Sequence, residues 1–425
     1  MHQRTRRIGI FVVAFLLCVG LSNLVALASS EYTDQLVIYH WWTAGGEKIA
    51  VDSIFDVFKA AYPNIEVVEN PITGGGGGTM RAQIKTMIMA GNPPDTFQVC
   101  GGKGMLGSYI DVLDPVDDFW DEYFPVPEAI KESVTINGHQ YGIPINVMRA
   151  NMLFYNKHII DELNISVPFE TLDDFYAACD RIKAAGYIPL AHGVGSGAKY
   201  WWTLMFDSIL LAVPHGGPEY LESLYAGTAN PANDPAIREA LEAMKTIAEN
   251  YINSDYAART DDMANNLVVN GEAAFWQSGT WGKGFFTSKG SVPLVDFDAM
   301  AFPGNTEYYM CHSDCFVLPK GAKHPNAARA WLEIFKTPGA EIGFCTAHGS
   351  TVIRTDIPVG GFDDMAQKFI EEYRDPNLRK VASPWGGPPE VYLSLMSDAL
   401  SVFGERLNVE RTIQDYARAY AEVFE

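Results

Sequence analysis

Along the first third of the chain the apolar positions switch between two periods. LVIYHW (36–41) is a short apolar run of strand type, whereas EKIAVDSIFDVFKAAYP (47–63) sets apolar residues three and four apart, as on one helix face. IEVVENPI (65–72) reads as a second strand, GTMRAQIKTMIMAG (78–91) as a second helix, and DTFQVCG (95–101), after the turn GNPP, as a third strand. Strand and helix in alternation predict a parallel α/β unit with right-handed crossovers. Residues 113–134 then read as a helical excursion, and INGHQYGIPINV (136–147) as a hairpin turning at Asn137-Gly138.

A second α/β unit begins near NMLFYNKHIIDELNI (151–165). Thr171 is the expected N-cap of the helix that follows it. A strand (IPLAHG), a Trp-containing helix (198–213) and a long helix (234–252) come next. LVVNGEAAFWQSGTWGKGFF (267–286) reads as helix, strand, helix, and FVLPKGAKHPNAARAWLEIFKTP (316–338) as strand, turn, helix. From residue 360 onward the pattern is helical. There is no internal repeat and no long linker, so the chain is expected to cross between its two units more than once.

At 425 residues the chain is comfortable for two lobes. Its formal charge of −21 argues against nucleic acid and against an anionic membrane surface. Arg4, Arg6 and Arg7, the apolar run IGIFVVAFLLCVGL and the site Ala26-Leu27-Ala28 make residues 1–28 a secretory signal peptide. Leu17 before Cys18 is not the small residue that lipid attachment prefers, so no lipid anchor is expected. Cys100, Cys179, Cys311, Cys315 and Cys345 follow the signal, an odd number. If CHSDC were one strand, Cys311 and Cys315 would lie roughly 13 Å apart, too far for a disulfide or a shared metal. Buried free thiols are the expectation, with a pairing between distant cysteines left open.

The chain carries no G-x-S-x-G and no H-E-x-x-H, and no Gly-Lys-Ser/Thr follows the run Gly74–Gly78. That run is either a flexible turn or a backbone that approaches a ligand closely. The acid pairs Asp117-Asp118, Asp261-Asp262 and Asp363-Asp364 sit at helix starts or in loops, where solvation and the helix dipole account for them. No catalytic set, metal site or cofactor is expected. The tryptophans are the unusual feature: Trp41, Trp42, Trp201, Trp202, Trp276, Trp281 and Trp385 cluster near predicted strand ends. Trp41 and Trp42, adjacent on a strand, face opposite ways, so at most one joins a given core. A sugar ring offers an apolar face to an indole and hydroxyls to polar groups at the rim.

HWWTAGGEK, GGGGGTMRAQIKTMIMAGNPPDTFQV, YGIPINVMRANMLFYNKHIIDELNI, VVNGEAAFWQSGTWG and SDCFVLPKGAKHPNAARAWLEIF together resemble the extracellular sugar-binding proteins of bacterial ABC importers, solute-binding family 1, and most of all their glucose-binding branch. The resemblance implies an α/β, two-lobed periplasmic-binding-protein-like fold of type II with a ligand cleft between the lobes. It implies that Trp41, Trp42 and Glu47 line the first lobe's rim with Gln98 beside them. Asn146 would come from the first crossing, Trp281 would stack on the sugar, and Asp314 would accept its hydroxyl protons. Cys100 and His348 stand where the glucose binders carry basic residues, and Trp385 near one of their histidines, so a saccharide other than D-glucose is expected. His348, titrating near neutrality, would make binding change with pH.

These readings place residues 31–146 with 308–350 in an N-terminal lobe and 150–305 with 355–425 in a C-terminal lobe. They predict a monomeric, periplasmic or extracellular receptor, without enzymatic activity, that delivers a mono- or small oligosaccharide to ABC transporter permease subunits. The alternatives are a secreted carbohydrate-active enzyme and a sugar-sensing subunit for a chemoreceptor or sensor kinase.

Overall fold

The computed structural model describes residues 34–195 and 199–425; the signal peptide expected at 1–28, with Cys18, lies outside them. Three sheets organise the chain. The first is six-stranded, in the order Glu66–Pro71, Gln35–His40, Thr96–Cys100, Asp314–Pro319, Leu113–Asp114, with Ile143–Pro144 paired to the side of Asp314–Pro319. Its first three strands are parallel, as the strand–helix alternation requires. Asp314–Pro319, from far along the chain, runs antiparallel to Thr96–Cys100 with Asp314 opposite Cys100. Helix Gly45–Ala61 buries Ala50, Val51, Ile54, Phe55 and Phe58 and packs against helix Pro338–His348.

The second sheet orders Ile188–Ala191, Ala273–Ser278, Met152–Asn156 and Phe297–Ala301, of which only the first pair is parallel. A third sheet of Arg379–Ala382, Tyr308–His312 and Met148–Arg149 is built from segments at the ends of the other two. Local signals read from sequence hold. Asn137 and Gly138 both take positive φ between two paired short strands, the geometry of a tight hairpin. Thr171 caps its helix reciprocally with Asp174.

Three expectations need correction. Residues 113–134 hold only two short helices, Asp117–Trp120 and Glu128–Ser133; Pro125 and Pro127 interrupt the region. The C-terminal part is not all helix, because Arg379–Ala382 pairs in parallel with Tyr308–Cys311. CHSDC is not one strand: Tyr308–His312 ends in the third sheet and Asp314–Pro319 starts in the first. The single-strand geometry drawn for Cys311 and Cys315 therefore does not apply, although all five cysteines after the signal are free. Among the described residues no helix is long and apolar enough to cross a membrane.

Candidate functional site

A cavity of about 290 Å³ opens where the three sheets meet. Its floor is Asp314, the first residue of its strand, 2 % exposed. Gln98 Nε2 donates to one carboxyl oxygen at 2.9 Å and Asn146 Nδ2 to the other at 3.0 Å. Neither amide is free to flip. Gln98 Oε1 accepts the Trp41 backbone N–H at 3.1 Å, and Asn146 Oδ1 accepts that of Asp314 at 2.7 Å. Burial raises the Asp314 carboxyl to about 6, with the two amide donors pulling it down.

The strand ends at His40, before Trp41 and Trp42, so the strand alternation expected to turn the two rings apart does not apply: both join one buried cluster. Trp42 packs on Phe344 and Phe316, at 4.6 and 5.8 Å between ring centroids, and is 1 % exposed. Trp41 lies against Gly77, where any Cβ would overlap its ring. Both touch the cavity. The glycine run lets the backbone come close to two indoles, and Gly74 and Gly76 line the cavity. Gly76 (φ 60°) and Gly77 (φ 70°) hold left-handed conformations, and a side chain on Gly76 would run into Trp385 Nε1.

Glu47, in the first turn of helix Gly45–Ala61, faces the same space. Loss of water raises its carboxyl well above the usual range, and the charges of Asp314, Asp261 and Asp262 add to the shift. His348 ends helix Pro338–His348 and stacks on Phe344. Burial, then the charge of His312, pushes it down to about 3. This corrects the expectation that it titrates near neutrality: a ring 1 % exposed cannot take up a proton cheaply. Burial likewise keeps the Cys100 thiol protonated.

The opposite wall comes from the second sheet and its helices. Thr260 caps helix Asp261–Val269 through its hydroxyl, and Asp261 accepts the Trp276 indole N–H at 2.9 Å. Asp262 pairs with Lys289 at 2.7 Å. Burial raises Asp261 to about 8, with Asp262 adding to the effect. The solvated role expected for this pair fails at Asp261, which is turned into the cavity, while Asp262 stays partly exposed beside Lys289. Asp117 behaves as expected, exposed and bonded to His139 and the Gln140 N–H. Asp363 caps helix Asp364–Arg374 and pairs with buried Lys283.

Three indoles close one end. Trp201, Trp281 and Trp385 stand 6.0–6.2 Å apart by ring centroids. His312 lies 5.2 Å from Trp385, bonds to Ser383 and is pushed by burial to about 3.

Of the residues selected from sequence, Trp41, Trp42, Glu47, Cys100, Trp281, Asp314, His348 and Trp385 line the cavity. Gln98 and Asn146 do not; they sit behind Asp314 and hold it. Sequence reasoning assigned Asp261 and Asp262 to solvent, and left Trp201 undecided between core and clamp. Among the described residues no set of three or more His, Cys, Asp and Glu side chains could hold a metal ion.

Residues 43–342 match the bacterial extracellular solute-binding proteins. The chain belongs to that family. An ABC transporter extracellular-binding protein of Pyrococcus horikoshii is 38 % identical over 397 residues, covering 92 % of this chain and 88 % of that one. A probable sugar-binding periplasmic protein of Mesorhizobium japonicum is 30 % identical over 391 residues, covering 87 % and 88 %. Among solved structures, a bacterial solute receptor with a preference for β-D-galactopyranose superposes with a TM-score of 0.80 at 19 % identity, covering 93 % of this chain and all of that one. The two-lobed, mixed α/β architecture of these solute-binding proteins is the fold described above.

Proposed function

We propose that this member of the solute-binding family is an extracytoplasmic receptor for a mono- or small oligosaccharide, which it passes to the permease of an ABC importer. The observation that carries the reading is the pairing of Asp314, an acceptor fixed by two buried amides, with a wall of indoles across one cavity. A carboxylate with fixed oxygens accepts hydroxyl protons in charge-assisted bonds, and indole faces take the C–H side of a sugar ring. Trp41, Trp42, Glu47, Cys100, Trp281, Asp314, His348 and Trp385 form the binding surface, with Gln98 and Asn146 as positioning residues. Family membership supports the extracytoplasmic placement and the permease partner.

In this reading residues 31–146 with 308–350 form one lobe and 150–305 with 355–425 the other, and the sugar selects the closed form by touching both. The receptor acts as a monomer after removal of residues 1–28. It is not an enzyme, so oligosaccharides incubated with it are recovered intact; release of new reducing ends would overturn that part. A thermal-shift screen over mono- and disaccharides tests the whole, because a ligand of the native state alone raises the melting temperature. At least one saccharide raises it; a flat response across the screen would reject the receptor reading.

A further inference from the structure

We infer that the preferred ligand is cationic: an amino sugar whose ammonium lies among Glu47, Asp261 and Asp314 while its ring rests on the indoles. The inference depends on the saccharide reading above and narrows it.

The first argument is the charge of the lining. Among the described residues four carboxyl groups face the cavity, those of Glu47, Asp261, Asp262 and Asp314, and neither Lys nor Arg does. Among the described residues a single lysine, Lys289, pairs with Asp262 and also draws on Asp261, whereas Glu47 and Asp314 have no ion pair. Asp314 is held by amide N–H groups and Asp261 by an indole N–H, donors that orient a carboxylate without cancelling its charge. The two lining histidines supply no charge, since burial keeps both neutral. Carboxyls gathered in a closed space hold on to protons that an entering counter-charge would release. An ammonium offers three donors and that counter-charge, whereas a hydroxyl offers one donor and no charge.

The second argument is independent of the acids. Two lining residues carry buried polar atoms without a protein hydrogen bond among the described residues: His348 Nδ1 and Trp385 Nε1, the latter packed near Gly76. One is an open position on a neutral imidazole and the other is a donor, a pair suited to hydroxyls. Five tryptophans also line the space. Indole faces attract a nearby ammonium most strongly of the aromatic side chains. Ring faces and four acids with one lysine among them, in one cavity, describe a sugar that carries an amine. Burial raises the carboxyls of Glu47, Asp261 and Asp314, and at Glu47 and Asp261 neighbouring acids add to it; a cation in the cavity would favour their ionised forms.

The test is calorimetric titration, below neutral pH, of D-glucosamine, D-galactosamine, D-mannosamine and the disaccharide of glucosamine. Each is compared with its N-acetylated and parent hydroxyl forms. N-acetylation removes the charge and keeps the ring. At least one amine should bind about tenfold or more tightly than both of its neutral counterparts, equivalent to one additional favourable ion pair. If a neutral saccharide binds as tightly as every amine, this inference fails and the receptor reading stands. If no saccharide binds at all, both fail. Asp261→Asn should cut the amine-to-parent affinity ratio by about tenfold, and Glu47→Gln, read in the same way, covers the case in which the first variant does not fold. A ratio unmoved in a folded variant would overturn the placement of the ammonium.

Discussion

Asp314 and Asp261 end in the same cavity but are held in opposite ways. Asp314 grows from a strand buried inside a sheet and meets two side-chain amides, each locked by a second hydrogen bond. Asp261 grows from the start of a helix and meets a single indole donor, with another carboxylate as its sequence neighbour. Both are short of water, yet the first rises to about 6 and the second to about 8. Donors aimed at the charged form decide how far burial wins. The helix N-terminus, which favours a negative charge, does not make up for the missing donor at Asp261. One wall thus presents a fixed acceptor and the other an acid that readily keeps its proton.

Asp314→Asn would break this contrast most sharply. The new amide keeps the shape but must turn its NH2 toward Gln98 Nε2 or Asn146 Nδ2, and neither can rotate away without losing its own bond. Saccharide affinity should fall well beyond about tenfold, and the facing donors should cost about 1–3 kcal/mol of stability. Calorimetry and chemical denaturation read both, and near-parental values would show that the amides do not hold the acid.

Trp281→Ala tests the ring wall instead. Trp281 is 7 % exposed and leans on Trp201, Trp385 and His312. Its loss should weaken binding by about 1–3 kcal/mol. A folded variant with unchanged affinity would assign the ring to packing alone.

The smallest effect is on stability against pH. Asp261 and Glu341 rise to about 8 and Asp207 to about 7, so the native chain keeps protons that the unfolded chain has lost. Their contribution is full below the ordinary carboxyl range and fades as pH climbs through those values. His192, His312 and His348, lowered to about 3, act in the opposite sense, but only below their ordinary value of 6.5. Between pH 6.5 and about 8 the acids therefore act alone. Stability of the ligand-free protein should decline across that window, and Asp261→Asn should flatten the slope. An equal slope in parent and variant would mean that Asp261 is ionised in the native chain.

The same contrast explains what could be read before any coordinates. The strand–helix alternation of residues 35–100 is plain because the inner strands Gln35–His40 and Thr96–Cys100 are largely apolar runs, and helices with one buried face repeat at 3.6 residues. Asp314, Trp281 and Glu47 were reached through resemblance, carried by motifs that no periodicity supplies. Asp261-Asp262 and Asp117-Asp118 look alike in sequence, two acids opening a helix; what packs over them differs, and that is a long-range fact. Arg379–Ala382 escaped because a short strand with two cations at its start has no readable period. His348 was assigned the wrong protonation behaviour because depth of burial cannot be read from residue type.

The slot filled by Asp314–Pro319 has a consequence for how the chain becomes a protein. In a polypeptide that emerges from its N-terminus onward, Thr96–Cys100 and Leu113–Asp114 are made long before the strand that joins them. Until residues 314–319 arrive, the first sheet has a gap with unpaired backbone on both sides, open to mispairing with other chains. Closure over so large a sequence separation is slow. The strand that completes the first sheet is thus the one the chain delivers last.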